Sequence, residues 1–226
     1  MMGLALACRS LAALLAMLLA IGCASSAWER TEKISSDGSD ACLYVPKLWA
    51  PLLPGSVYPN KRVRVPAKGR PSVVVVCPAE SPCPKDRILG PLAERGFVVL
   101  LFERAPSEPP QDGLLRTRAE SRDAPTGWLL ISPTDDFLRR WMGVGARPAA
   151  VAILEASVFP SPSSHSKEPF DGAPRRVLLE ALLGSEANIS SERVIEKLYA
   201  PDSTGHLPRE AYRDAAEWLA GELGAR

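Results

Sequence analysis

An excess of charge of either sign is what this sequence most lacks: 27 lysines and arginines stand against 26 aspartates and glutamates, a net charge of +1. No basic patch breaks the balance, so no nucleic-acid partner is expected. Histidine is nearly absent. The two present, His165 and His206, sit at no ligand spacing from a cysteine, so no metal site and no cofactor are expected. No apolar run is long enough for a stable membrane-spanning helix, which needs about 20 residues. Internal repeats are missing as well.

What is there fits one domain plus a leader in 226 residues. The uncharged run Leu11 to Ile21 follows Arg9 and has the length of a signal-peptide core. It ends in Leu19-Ala20-Ile21-Gly22-Cys23, which resembles a bacterial lipobox and makes Cys23 the expected lipidation site. Plain cleavage after Ala27 is the alternative, and both readings imply export. The expected location is the cell envelope, lipid-anchored at a membrane surface, or the periplasm or medium if cleavage is plain. The expected division is 1–23 signal peptide, 24–60 tether and N-terminal segment, and 61–226 folded domain. With Cys8 removed and Cys23 lipidated, Cys42, Cys77 and Cys83 remain. An oxidising compartment allows one pair among three thiols. Cys77 and Cys83 flank a short proline-containing loop and are the expected disulfide; Cys42 with Cys83 is the alternative.

Along the mature chain, Arg62 to Val65 alternates as an edge strand would. Ser72 to Cys77 is a continuous β-branched run, the pattern of a strand buried on both faces. Pro84 to Arg95 carries Ile88, Leu89, Leu92 and Ala93 at helical spacing, and Gly96 ends it. Phe97 to Phe102 is a second buried strand, completing a βαβ unit. Further strands are expected at Trp128 to Ile131, Ala149 to Leu154, Val177 to Leu183 and Val194 to Tyr199. A helix is expected over Asp135 to Met142, and a closing amphipathic helix over Arg209 to Leu223. The alternation predicts a doubly wound, mostly parallel α/β sheet in a three-layer sandwich.

Two stretches carry a resemblance. Leu92-Ala93-Glu94-Arg95-Gly96-Phe97-Val98-Val99 follows a valine-rich strand, and Tyr199-Ala200-Pro201 leads to Gly205-His206 ahead of the last helix. Their order and spacing resemble the α/β-hydrolase fold, most of all its dienelactone-hydrolase-like branch. The resemblance implies a serine nucleophile after the central strand, an acid after the penultimate strand and a histidine after the last. Those places fall on Ser132, Glu186 and His206, and imply a small acyl or ester substrate.

The departures bear on activity. The valine-rich strand runs into Cys77-Pro78-Ala79-Glu80, where the family has His-Gly. The nucleophile segment reads Ile131-Ser132-Pro133-Thr134-Asp135, with neither glycine of the Gly-x-Ser-x-Gly turn. Ser132 also suits a helix N-cap, with proline at the first helical position and acids in the first turn. The acid position reads Gly184-Ser185-Glu186-Ala187-Asn188 where the family has a Gly-x-x-Asp turn. Three independent departures point to an altered or inactive hydrolase-like protein with a binding or structural role and no identified protein partner. The alternative is an active carboxylic-ester hydrolase using Ser132, His206 and Glu186.

Overall fold

The computed structural model describes residues 27–36, 39–47, 49–51, 62–64, 69–78, 82–106, 124–134, 136–138, 148–155, 176–182 and 194–225. The valine-rich run forms β5 (Ser72–Val76), completely buried, and pairs in parallel with β6 (Val98–Phe102) on one side and β7 (Thr126–Ile131) on the other. The parallel ladder continues through β8 (Ala150–Leu154), β9 (Arg176–Leu182) and β10 (Val194–Tyr199). Two antiparallel strands, β1 (Trp28–Ser36) and β2 (Ser39–Pro46), extend the other edge, β2 pairing with β6. The eight-stranded order is β1-β2-β6-β5-β7-β8-β9-β10. A separate antiparallel pair joins β3 (Trp49–Pro51) to β4 (Arg62–Arg64).

The expected boundary at residue 61 is therefore corrected. Residues 28–36 and 39–46, read from the sequence as tether and N-terminal segment, form two strands of the main sheet. The reason is local. Ala41, Leu43 and Val45 of β2 are buried against the core, and β1 completes the ladder outside them while showing mostly charged side chains to water.

Period-two alternation sorts each central strand onto two faces. Val73, Val75, Leu101 and Leu129 meet α1 (Lys85–Glu94) and α2 (Arg209–Leu223). Val74, Leu100, Leu130 and Ile153 build the opposite core with Phe137 and Leu138 of the helical stretch 136–138. Apolar residues on both faces explain why these strands read as unbroken hydrophobic runs. At Gly96 the chain takes a left-handed turn (φ 74°), its N–H bonding Ala93 O at 2.9 Å, and reverses from α1 into β6. Under α2 the sheet comes very close: a Cβ at Gly127 would lie 2.8 Å from Leu223 Cδ1 and 3.1 Å from Leu219 Cδ2. Cys77, at the end of β5, is bonded to Cys83 just before α1 with a Cα–Cα distance of 5.3 Å, and Cys42 is unpaired. No helix among the described residues is long and apolar enough to cross a membrane.

Candidate functional site

In open α/β sheets, ligand sites form beyond the carboxyl ends of the parallel strands. Three side chains meet there in this protein. Ser132 follows β7, Glu155 follows β8, and His206 lies in the loop after β10. Ser132 (φ 43°) and Glu155 (φ 56°) are the non-glycine residues with left-handed backbone among those described. Such a conformation is costly for a side-chain-bearing residue and persists only where surrounding bonds enforce it. Here the ladder runs one step past each strand end. Ser132 N–H donates to Leu154 O at 2.8 Å, and Glu155 N–H to Glu180 O at 3.1 Å. The resulting turns aim the two side chains at each other.

Glu155 is the hub. Its Oε2 accepts from Ser132 Oγ at 3.0 Å. Its Oε1 accepts from Tyr212 Oη of α2 at 3.0 Å and from the Leu207 N–H at 3.3 Å. Burial, then the Glu155 charge, push the Tyr212 phenol above its ordinary range, so it stays a donor. His206 Nδ1 stands 3.9 Å from the same Oε1, outside hydrogen-bond range. Its ring is 62% exposed, whereas the Glu155 side chain is 17% exposed. The carboxylate thus stands between the hydroxyl and the imidazole, and it, rather than His206, takes the Ser132 proton bond.

The histidine loop is fixed from below. Asp202 Oδ1 accepts from Thr204 Oγ1 (2.6 Å), Thr204 N–H (2.8 Å) and His206 N–H (3.1 Å). Arg87 of α1 reaches Asp202 Oδ2 at 2.8 Å and donates to Leu207 O at 2.7 Å. The Thr204 hydroxyl bond, with the backbone and Arg87 bonds beside it, holds the Asp202 carboxyl well below the usual carboxylate range.

Sequence reasoning placed Ser132 and His206 at the ends of their strands, and the structure brings both to one carboxylate. It missed that carboxylate, Glu155. Glu186, His165 and the lipobox Cys23 lie outside the described residues. The N-cap reading of Ser132 is corrected: Thr134 Oγ1 accepts from the Phe137 N–H at 3.2 Å and caps the helical stretch, leaving Ser132 to bond Glu155. Among the described residues no three His, Cys, Asp or Glu side chains converge as a metal centre requires.

Among the described residues the site shows one half of acyl-transfer chemistry. A hydroxyl in a strained strand-end turn, bonded to a base, is the nucleophilic half. The electrophilic half needs N–H donors where the carbonyl oxygen gathers charge, chiefly from the residue after the nucleophile. That residue is Pro133, which has no N–H. Pro78, following the end of β5, supplies none either. A carboxylate at Ser132 further disfavours negative charge there.

No protein-family model and no curated protein matches this sequence. Solved structures do. TT1662 from Thermus thermophilus is 15% identical with a TM-score of 0.52, covering 87% of this chain and 99% of that one. The apo AtxE2 isopeptidase is 13% identical with a TM-score of 0.56, covering 88% of this chain, which spans 41% of AtxE2. A cold-adapted esterase from an Arctic intertidal metagenomic library is 12% identical with a TM-score of 0.50, covering 86% of this chain and 93% of that one. Likeness at these identities defines the fold: a mostly parallel, three-layer α/β sandwich of the α/β-hydrolase type. Activity does not follow from it.

Proposed function

We propose that this chain is an exported α/β-hydrolase-like protein, held at a membrane surface by lipid on Cys23, whose scaffold serves binding or structure instead of acyl transfer. The observation that carries the second half is Pro133. Loss of a single oxyanion donor costs on the order of a hundred- to a thousandfold in rate, and here the position that gives the main donor cannot donate. The Ser132–Glu155 bond then ties β7 to β8, with Tyr212 tying the same carboxylate to α2.

Purified mature protein treated with a fluorophosphonate probe is expected to show no serine labelling, and short p-nitrophenyl esters no turnover. The left-handed backbone at Ser132 favours a second reading, an active carboxylic-ester hydrolase. In it Ser132 attacks, His206 is the base, and Glu155 or Glu186 supplies the carboxylate. Labelling that disappears in Ser132→Ala and depends on His206 would establish that reading instead.

The anchor has its own test. In the native cell, wild-type protein is expected to incorporate a labelled fatty acid and to fractionate with membranes. Cys23→Ala is expected to lose both. Label that persists in the variant, or never enters the wild type, leaves simple cleavage after Ala27 and a free exported protein.

A further inference from the structure

The middle of β9 holds an acid that the Ser132 site does not use. Glu180 is completely buried between apolar neighbours, Val177 to Leu179 before it and Ala181 and Leu182 after it in sequence, and is paired in register with Leu154 of β8 and Lys197 of β10. Its Oε2 has no hydrogen-bond partner, and its Oε1 lies 3.2 Å from Tyr199 Oη. That hydroxyl also lies 2.8 Å from Asp214 Oδ2 of α2, which Lys197 Nζ reaches at 3.0 Å. One phenol carries one hydrogen. The shorter contact, to a carboxylate already paired with an ammonium, takes it. The contact to Glu180 then contains a hydrogen only if Glu180 brings one.

We propose that Glu180 is a neutral carboxylic acid in the folded protein and that the chain Glu180 to Tyr199 to Asp214, closed by Lys197, is a proton-dependent latch on β10. The strand needs one. Among the described residues it is the sheet edge and pairs with β9 alone, and its Ile195 and Leu198 are exposed. It also leads directly into the loop that carries His206. The groups facing the latch are Tyr199 and Lys197 from β10 and Asp214 from α2, with Arg213 acting on Asp214; β8 offers only apolar Leu154.

The protonation behaviour agrees with this arrangement. Burial, against the Tyr199 bond and the Lys197 charge, pushes Glu180 up to about 8. Burial and the bond to Asp214 hold the Tyr199 phenol protonated well above its ordinary range. Burial opposes ionisation of Asp214 too, yet bonds from Lys197 and Tyr199 keep that carboxyl below its usual value. The sign follows. Below the unfolded value of 4.5, both folded and unfolded chains hold the Glu180 proton. Between 4.5 and about 8 only the folded chain holds it, so stability falls as pH rises. Above about 8 both have lost it and the penalty stays constant. Within the window the unfolding constant rises by up to about tenfold per pH unit.

Glu180→Gln keeps the shape and cannot ionise. Wild type and variant are expected to melt alike near about pH 5, with the variant increasingly more stable up to about pH 8 and ahead by a constant margin above it. Hydrogen exchange at residues 195–199 is expected to accelerate over that range in wild type, beyond its chemical pH dependence, and not in the variant. Superimposable pH profiles would overturn the latch. Should the variant fail to fold, infrared spectra of wild type decide. The carbonyl band of a buried protonated acid is expected at about pH 6 and should vanish reversibly by about pH 10. Its absence at the lower pH overturns the proposal as well. None of these readouts depends on whether Ser132 reacts.

Discussion

Glu155→Ala is expected to destabilise the protein by about 3 kcal/mol, the sum of broken bonds to a charged acceptor at roughly 1.5–3 kcal/mol each, discounted for partial solvent access. Three donors lose their acceptor together. Tyr212 Oη is buried under α2, the Leu207 N–H sits at the end of the histidine loop, and Ser132 Oγ projects from a strained turn. Water can replace the carboxylate only in part, because the Glu155 side chain is 17% exposed. For a domain of this size the midpoint of thermal unfolding should fall by about 10 °C, from roughly 2–4 °C per kcal/mol. Ser132→Ala removes one of the three bonds and should cost about 1 kcal/mol. A paired melting experiment separates the two. Equal, small losses in both variants would mean that the carboxylate is no hub, and would remove the structural role assigned to it.

Gly127→Val should cost about 3 kcal/mol, at the upper end for overpacking a filled core. The obstruction is α2 itself. Its Leu219 and Leu223 methyls already occupy the space over β7 where a side chain at 127 would go. Alanine is the instructive contrast. The atoms it would crowd, Leu223 Cδ1 at 2.8 Å and Leu219 Cδ2 at 3.1 Å, are the ends of flexible side chains that can turn away, and the backbone Ala150 O at 3.4 Å is at ordinary contact distance. Gly127→Ala should therefore lose only about 1 kcal/mol. A valine adds two branch carbons at once, and the helix must lift. Because Tyr212 belongs to that helix, lifting it should also weaken the hold on Glu155. Thermal melts of both variants, with hydrogen exchange along α2, would reveal it. Equal midpoints for alanine and valine would show that the contact is soft.

The central fold was legible because its physics is written in side chains. β5 and β6 are apolar on both faces and so read as continuous runs, and Gly96 supplies the left-handed turn that a strand–helix–strand unit needs. The closing helix shows Ala211, Tyr212, Ala215, Ala216 and Leu219 at helical spacing because one face meets the sheet. The early strands were harder. β1 shows Glu29, Arg30, Thr31 and Lys33 to water and buries Ile34, and nothing in the pattern of Trp28–Ser36 separates a tether from an edge strand. Ser132 and His206 were found through the order of elements. Glu155 was not, for two reasons. The acid was sought after the following strand, and left-handed backbone at a non-glycine residue leaves no trace in composition. Glu180 was hidden by the apolar run around it, which hid equally well that a titratable group was being buried.

The position of β1 sets how the domain would be presented if Cys23 carries lipid. The chain is already committed to the sheet at Trp28, so only four residues, 24–27, separate the acyl attachment from folded structure. Fully stretched, those five Cα steps reach about 17 Å. Such a leash would be too short for the domain to roam, and would make the β1 side the proximal rim of the sheet. The β10 rim lies seven strand spacings away, about 34 Å across. The latch and the exposed leucine and isoleucine would then ride on the far side, facing whatever approaches from beyond the bilayer.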